Sequence, residues 1–597
     1  MQKNIFVVIL TFSLLATAPA VANPLNLFIQ QCLRYQPSLA ELDLNQPVAK
    51  QAVQFEQLTL GFNNFNDRLN YYRDLAANSQ RESILMCQLH LADELQVLLK
   101  DPTLEHFIDN LSQAQPPYSS LAAKLKSIQS RQLDITSKSK LHNAQATIRR
   151  NLSNNHVELV FNDKKCQLTS PAFEHSQEDT TSNNDNRADN HDNNNSVNTT
   201  AKYNLDVSLA KYLILQPNEQ CRKSAWLAYQ SRAKYKNAVS LDIIKQIKQP
   251  TAAQHLDTHF LDSDALINYL QQITTNINIA PWNIGQHLAS LPHEKYTGFT
   301  SANDIIAQAF QQLEEVGIRF EILSVAAITQ QQDRFEQKRE ETQLSSEKTI
   351  NQLAENQIYR VWHQQRLLGE LFVTPAMKTS AHIIRYPVIG HQFAQASISY
   401  VKKISNRRQA NQLIDAVTET IAGLARGNKF YLNNKQGLAD NHSLGQLWLA
   451  QYLRQHLKLD LSEREQAAID YRQQLRVFRS KVILDFYLNE HINQQPLAIS
   501  FEQSFNQEWQ GAQELAFSFN GIANEGIDYY LPLWHQSLVR IIFEASKPTV
   551  TERQVFDIFV VNEENLTLNE QMIIILTPPN DPSSIIRRAF NVGHSQI

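Results

Sequence analysis

The stretch Gln409–Phe430 (QANQLIDAVTETIAGLARGNKF) limits what this chain can become more than any other. Leu413, Val417, Ile421 and Leu424 recur at spacings of 4, 4 and 3, which sets them on one face of a helix. Gly427 and Asn428 then supply a helix stop. The rest of the composition agrees with helix. Glycine is scarce, 14 in 597 residues, and proline is modest at 20, while Leu, Ala, Gln, Glu and Lys abound. A mainly α protein is expected.

The N-terminus reads as an address. Lys3, an apolar-rich run Ile5–Leu15 and the small residues ending at Ala22 form a secretory signal peptide, so residues 1–22 are expected to be removed. The apolar run is shorter than the roughly 18 residues a spanning helix needs, which disfavours an anchor. An exported chain follows, periplasmic if the source has an outer membrane and secreted otherwise, with no membrane association after cleavage. Its length allows a large core or two lobes. A net charge of -4 without a basic, aromatic-studded stripe gives no support to nucleic-acid binding. Cys32, Cys87, Cys166 and Cys221 permit three connectivities in an oxidising compartment. Chain order suggests Cys32–Cys87 and Cys166–Cys221, against the alternative of buried free thiols.

Taken in order, residues 23–174 read as an N-terminal helical region. Phe62–Ala76 and Ile84–Leu99 carry helical apolar spacing, Pro116 and Pro117 interrupt, and His156–Asn162 alternates like a strand. Residues 175–200 are an Asn-rich polar insert with almost no apolar surface, expected to be disordered. Residues 201–597 form the remaining domain. There Tyr203–Leu215 is strand-like, Asn218 opens a helix at Glu219, Glu340–Asn356 is a polar excursion and Ile358–Thr374 is a hairpin.

Several motifs in this second part occur in a telling order. Asn218–Lys223 with Ala228–Ala233, Ala280–Asn283, Gly317–Glu321, the hairpin with Gly369, Asp470–Asn493 and Ile527–Trp534 together resemble the thimet oligopeptidase/neurolysin/oligoendopeptidase F family of zinc metallopeptidases. The resemblance implies a two-lobed helical metallopeptidase-like fold, a deep central channel, and a small β-sheet beside the cleft that includes Ala396–Val401. It also makes Gln409–Phe430 the counterpart of the zinc-binding helix.

That helix lacks what a zinc hydrolase needs: two imidazoles one turn apart and a carboxylate beside the first. In register with the family, Ala422 and Arg426 take the two histidine positions and Gly423 the glutamate position. No histidine lies between His391 and His442, so no shift within the helix restores a ligand pair. The segment Gly437–Gln446, where the family's third ligand falls, holds Asp440 and no glutamate. Two tyrosines that the family places near the reacting carbonyl become Glu525 and Pro532, while Tyr529 and Tyr530 survive. Elsewhere His255 and His259 make one His-x-x-x-His without a neighbouring glutamate, and no G-x-S-x-G motif occurs. The expectation is therefore no metal and no cofactor, although the family would imply zinc.

Arg426 has two readings. Its guanidinium reaches the place of the absent cation and holds a peptide carbonyl or C-terminal carboxylate, or it complements its helix dipole and faces water. With Tyr529 and Tyr530 it is a candidate peptide-binding residue. Three functions compete: a non-catalytic family member binding peptides or a protein partner, a peptidase with a non-standard metal site, and an assembly protein with a filled cleft. The first is favoured, since two imidazoles, a base and two tyrosines are lost together.

Overall fold

The computed structural model describes residues 24–130, 132–153, 164–166, 209–256, 269–270, 279–323, 356–435, 442–459, 461–488, 496–581 and 584–588. The leader 1–22, the strand-like His156–Asn162, the insert 175–200, all of Glu340–Asn356 but its last residue, and Asp440 lie outside them, as do the side chains of His255 and His259.

Helices dominate, and one five-stranded sheet interrupts them. The N-terminal helices between Pro24 and Ser130 gather two small cores of their own. Their longest member, α1 (Val48–Leu75), has an unusual inner face, on which Gln51, Glu56, Thr59, Asn63 and Asp67 are buried. Of these, Glu56 and Asp67 bond to residues of the larger body. Helix Ile135–Ser153, which the sequence reading places with the N-terminal region, instead packs Ala144 and Ile148 into the large C-terminal core.

The sheet comprises β1 (Ile318–Ile322), β2 (Gln357–His363), β3 (Arg366–Pro375), β4 (Ser380–Arg385) and β5 (Ala394–Tyr400) in the order β1-β2-β3-β5-β4. Strands β3 and β5 are parallel and every other pair is antiparallel. The expected hairpin is β2–β3. Gly369 lets β3 run close beside β5, because a Cβ there would lie 2.1 Å from the carbonyl oxygen of Ala394. Edge strand β4 runs beside both α1 and α2 (Arg407–Ala425), and so lies where the two halves meet.

Helix α2 is the stretch that the apolar spacing identified. Leu413, Val417, Ile421 and Leu424 are all fully buried. Asn406 caps its start by accepting from the Gln409 amide at 3.0 Å. Its end falls directly ahead of Gly427 and Asn428, where the sequence places a stop. The helix stops at Ala425, and Arg426 leaves the helical conformation with φ -51° and ψ 136°. Two tertiary partners impose this stop ahead of Gly427. The Arg366 guanidinium on β3 donates to the carbonyls of Ala425 at 2.9 Å and Arg426 at 3.3 Å, and Gly427 donates to Val561 O at 2.8 Å.

Helices α3 (His442–His456), α4 (Glu463–Leu488) and α5 (Leu531–Ala545) complete the body around α2. One strand-like segment is corrected: the described part of Tyr203–Leu215 is a helix, Leu209–Leu215. Its apolar Leu209, Tyr212 and Leu213 follow helical spacing, a signal hidden by the shortness of the run. Tyr212 fixes it by donating to Cys166 O at 2.8 Å. Both cysteine pairs suggested by chain order form, Cys32–Cys87 and Cys166–Cys221, with Cα–Cα distances of 5.8 and 5.2 Å.

Candidate functional site

Between the N-terminal helices and the large body lies a cleft of about 630 Å³. Helix α1 contributes Asp67, Asn70, Tyr71 and Asp74 to one wall. Opposite stand His382 and Ile383 of β4, Tyr386, and Glu419 of α2. The floor and far end come from Ser443 and Gln446 on α3, then Glu525, Asp528, Pro532 and His535. The volume falls in the range of sites for small ligands and short peptide segments.

Ala422, Gly423 and Arg426, the positions that the resemblance sets against zinc-site residues, sit behind this wall rather than on it. A Cβ built on Gly423 would meet Ile383 Cδ1 at 2.3 Å, and it is Ile383 that faces the cleft. Ala422 is buried, with 4% of its surface exposed. Arg426 is outside the helix, so it is no longer one helical turn from Ala422 on a common face. A methyl group, a hydrogen and a displaced guanidinium provide no donor set, so these residues do not fit zinc. Among the described residues no group of three or more His, Cys, Asp or Glu side chains is arranged to hold a metal ion.

The three candidate peptide-binding residues also lie away from the cleft lining. Arg426 is 3% exposed, donates to the Asn434 carbonyl, and sits with its guanidinium 5.3 Å from the centre of the Tyr386 ring. It neither enters the cleft nor faces water. Tyr529 packs between Arg476, whose guanidinium is 4.2 Å from the ring centre, and Phe519. Tyr530 is buried, and its hydroxyl has no hydrogen-bond partner among the described residues. By contrast, Glu525 and Pro532, which the sequence resemblance sets against two tyrosines, do line the cleft.

The electrostatics of the wall begin with α1. Asp67 accepts from the Tyr431 hydroxyl and, at 3.3 Å, from the Tyr386 amide. Burial pushes its carboxyl up to about 6, with Lys435 pulling the other way. Three turns earlier, Glu56 accepts from the Tyr431 amide at 3.1 Å, and burial raises it to about 7. One residue of the segment after α2 thus binds two buried carboxylates of the N-terminal half. Phe430 beside it enters an N-terminal core, and Lys124 donates to Leu432 O at 2.9 Å. The segment 426–435 is a strap between the halves. A reciprocal amide pair, Asn64 with Gln392 at 2.8 and 3.1 Å, adds a second tie.

Glu419 is the carboxylate that α2 itself presents to the cleft, one turn before Gly423. Burial raises its carboxyl, and the like charge of Asp415 adds to that, while Arg426 opposes. At the far end Ser443 Oγ and His535 Nδ1 share a hydrogen bond of 2.7 Å. Sequence reading missed Asp67, Glu419 and this Ser–His pair, because none falls in a motif. The signal that existed for Glu419 was its i-4 spacing from Gly423 on the helix already singled out.

No family model matches the chain, and no curated protein matches it. Among solved structures, a "putative peptidase" from Chlamydophila abortus is similar, with a TM-score of 0.49 and 11% identity over 95% of this chain and 94% of that one.

Proposed function

We propose that this protein is an exported, peptidase-like binder that holds peptides, or a peptide segment of a protein partner, in the cleft between its halves. It does so without the zinc-dependent hydrolysis of the thimet oligopeptidase family it resembles. The observation that carries the reading is the pairing of an open cleft with a disabled wall. A cavity of about 630 Å³ persists, yet Ile383 closes over Gly423 at the place where the catalytic base would project. An assembly protein would be expected to have filled that space.

Export is supported by the leader-like residues 1–22 and by two disulfides, which persist in oxidising compartments. The alternative of a peptidase with a non-standard metal site lacks a donor set among the described residues.

The test uses one preparation of the mature protein. Zinc content, cleavage of a quenched fluorescent peptide and calorimetric peptide binding are measured together. Binding without stoichiometric zinc or chelator-sensitive cleavage is expected. One tightly held zinc per chain with chelator-sensitive turnover would overturn the proposal.

A further inference from the structure

The cleft carries an unbalanced charge. Asp67, Asp74, Glu419, Glu525 and Asp528 face it, against Arg73 and Lys435 as full cations. Most of these carboxylates have partners inside the protein. Glu525 pairs with Arg476 at 2.7 Å, Asp67 is held by Tyr431 and Tyr386, and Asp74 lies 3.7 Å from His382. Glu419 differs. It makes no hydrogen bond or ion pair with any described residue.

The groups around Glu419 do not remedy this. Asp415, one turn earlier on α2, has the same sign and is paired with Arg454. Arg426 bears on Glu419 electrostatically, but it is committed to the Asn434 carbonyl behind Tyr386. A partly desolvated carboxylate beside a like charge gains most from a cation that approaches along the open side. Tyr71 and Tyr386 supply aromatic surface in the same cleft, and such rings attract ammonium and guanidinium groups. Tyr386 already accepts one guanidinium, that of Arg426, on its protein side.

Resting on the peptide-binding reading of this cleft, we infer that its occupant is a basic peptide whose lysine or arginine side chain pairs with Glu419 between Tyr71 and Tyr386. Glu419 then acts as the specificity determinant of the site. An acidic peptide is repelled by the remaining carboxylates, and a neutral one leaves Glu419 unpaired.

Titration calorimetry with blocked alanine pentapeptides carrying arginine, alanine or glutamate at the centre tests this. The arginine peptide is expected to bind roughly tenfold or more tighter than the alanine peptide. The glutamate peptide should bind weakest, and the preference should shrink as salt is raised. In Glu419→Gln the ratio of arginine-peptide to alanine-peptide affinity should fall to about one, with the melting temperature confirming an intact fold. Equal affinity for the three peptides in the wild-type protein, or a preference that survives Glu419→Gln, would overturn this inference and leave the binding reading standing. Silence with all three peptides, but binding of spermidine, would overturn both.

Discussion

Gly423 shows how far one residue reaches. A glycine at a helix position where the sequence resemblance implies a carboxylate could be an isolated change, open to reversal. The packing of Ile383 ties the two positions together, because a Cβ at Gly423 requires the end of that isoleucine side chain in the cleft wall to turn aside. Arg426 adds a second obstacle by leaving the helix. The combined variant Ala422→His, Gly423→Glu, Arg426→His is therefore expected to take up no stoichiometric zinc, as measured by elemental analysis, and to melt below the wild type. At the same scale, Glu56 and Asp67 give a pH dependence with a definite sign. Their carboxyls are raised in the folded state, to about 7 and about 6, so the folded protein binds more protons than the unfolded chain across this range. Their contribution to stability is full below about pH 4 and is lost as pH rises toward 7. Glu56→Gln should flatten its share of that slope, on the order of 3 kcal/mol, in denaturant melts at pH 4, 5.5 and 7. An unchanged slope would remove Glu56 from the account. None of this was visible in the sequence, where both residues look like ordinary polar positions on a long helix.

Among the elements, local signals did well wherever the chain's own hydrogen bonds set the boundary. Asn406 starts α2, Asn218 starts the helix at Glu219 by accepting from the amides of Gln220 and Cys221, and the β2–β3 hairpin lies where alternation placed it. Asn406→Ala should cost about 1 kcal/mol in chemical denaturation. A null effect would mean that burial alone holds α2. Where distant partners set the backbone, as at Arg426, local signals did not reach. The end of α2 is decided by Arg366 and by Val561, and neither leaves a trace in the sequence around Arg426. The Leu209–Leu215 helix was misjudged for a similar reason. A seven-residue apolar run is ambiguous until its anchors, Cys166 and its disulfide to Cys221, are in place.

For the whole molecule, two covalent ties and one strap govern how the parts are held. Each disulfide spans 55 residues, and the loop-entropy relation assigns a closure of that length about 4 kcal/mol. Reduction with denaturant-free thiol, or Cys32→Ser with Cys87→Ser, should lower the denaturation midpoint markedly. A midpoint that does not move would show that the N-terminal cores stand without the bridge. The sequence by itself determined the helical class, the buried face of α2, the hairpin and the cysteine pairing order, because each depends on residue type, chain order and short-range periodicity. Tertiary structure alone decided which side chains face the cleft. Asp67, His382, Glu419, Ser443 and His535 come from segments far apart in the chain, and periodicity tells which face of a helix is buried but not what is packed against it. That is why Arg426, Tyr529 and Tyr530, chosen by register, lie behind the wall, while Glu419 stands on it.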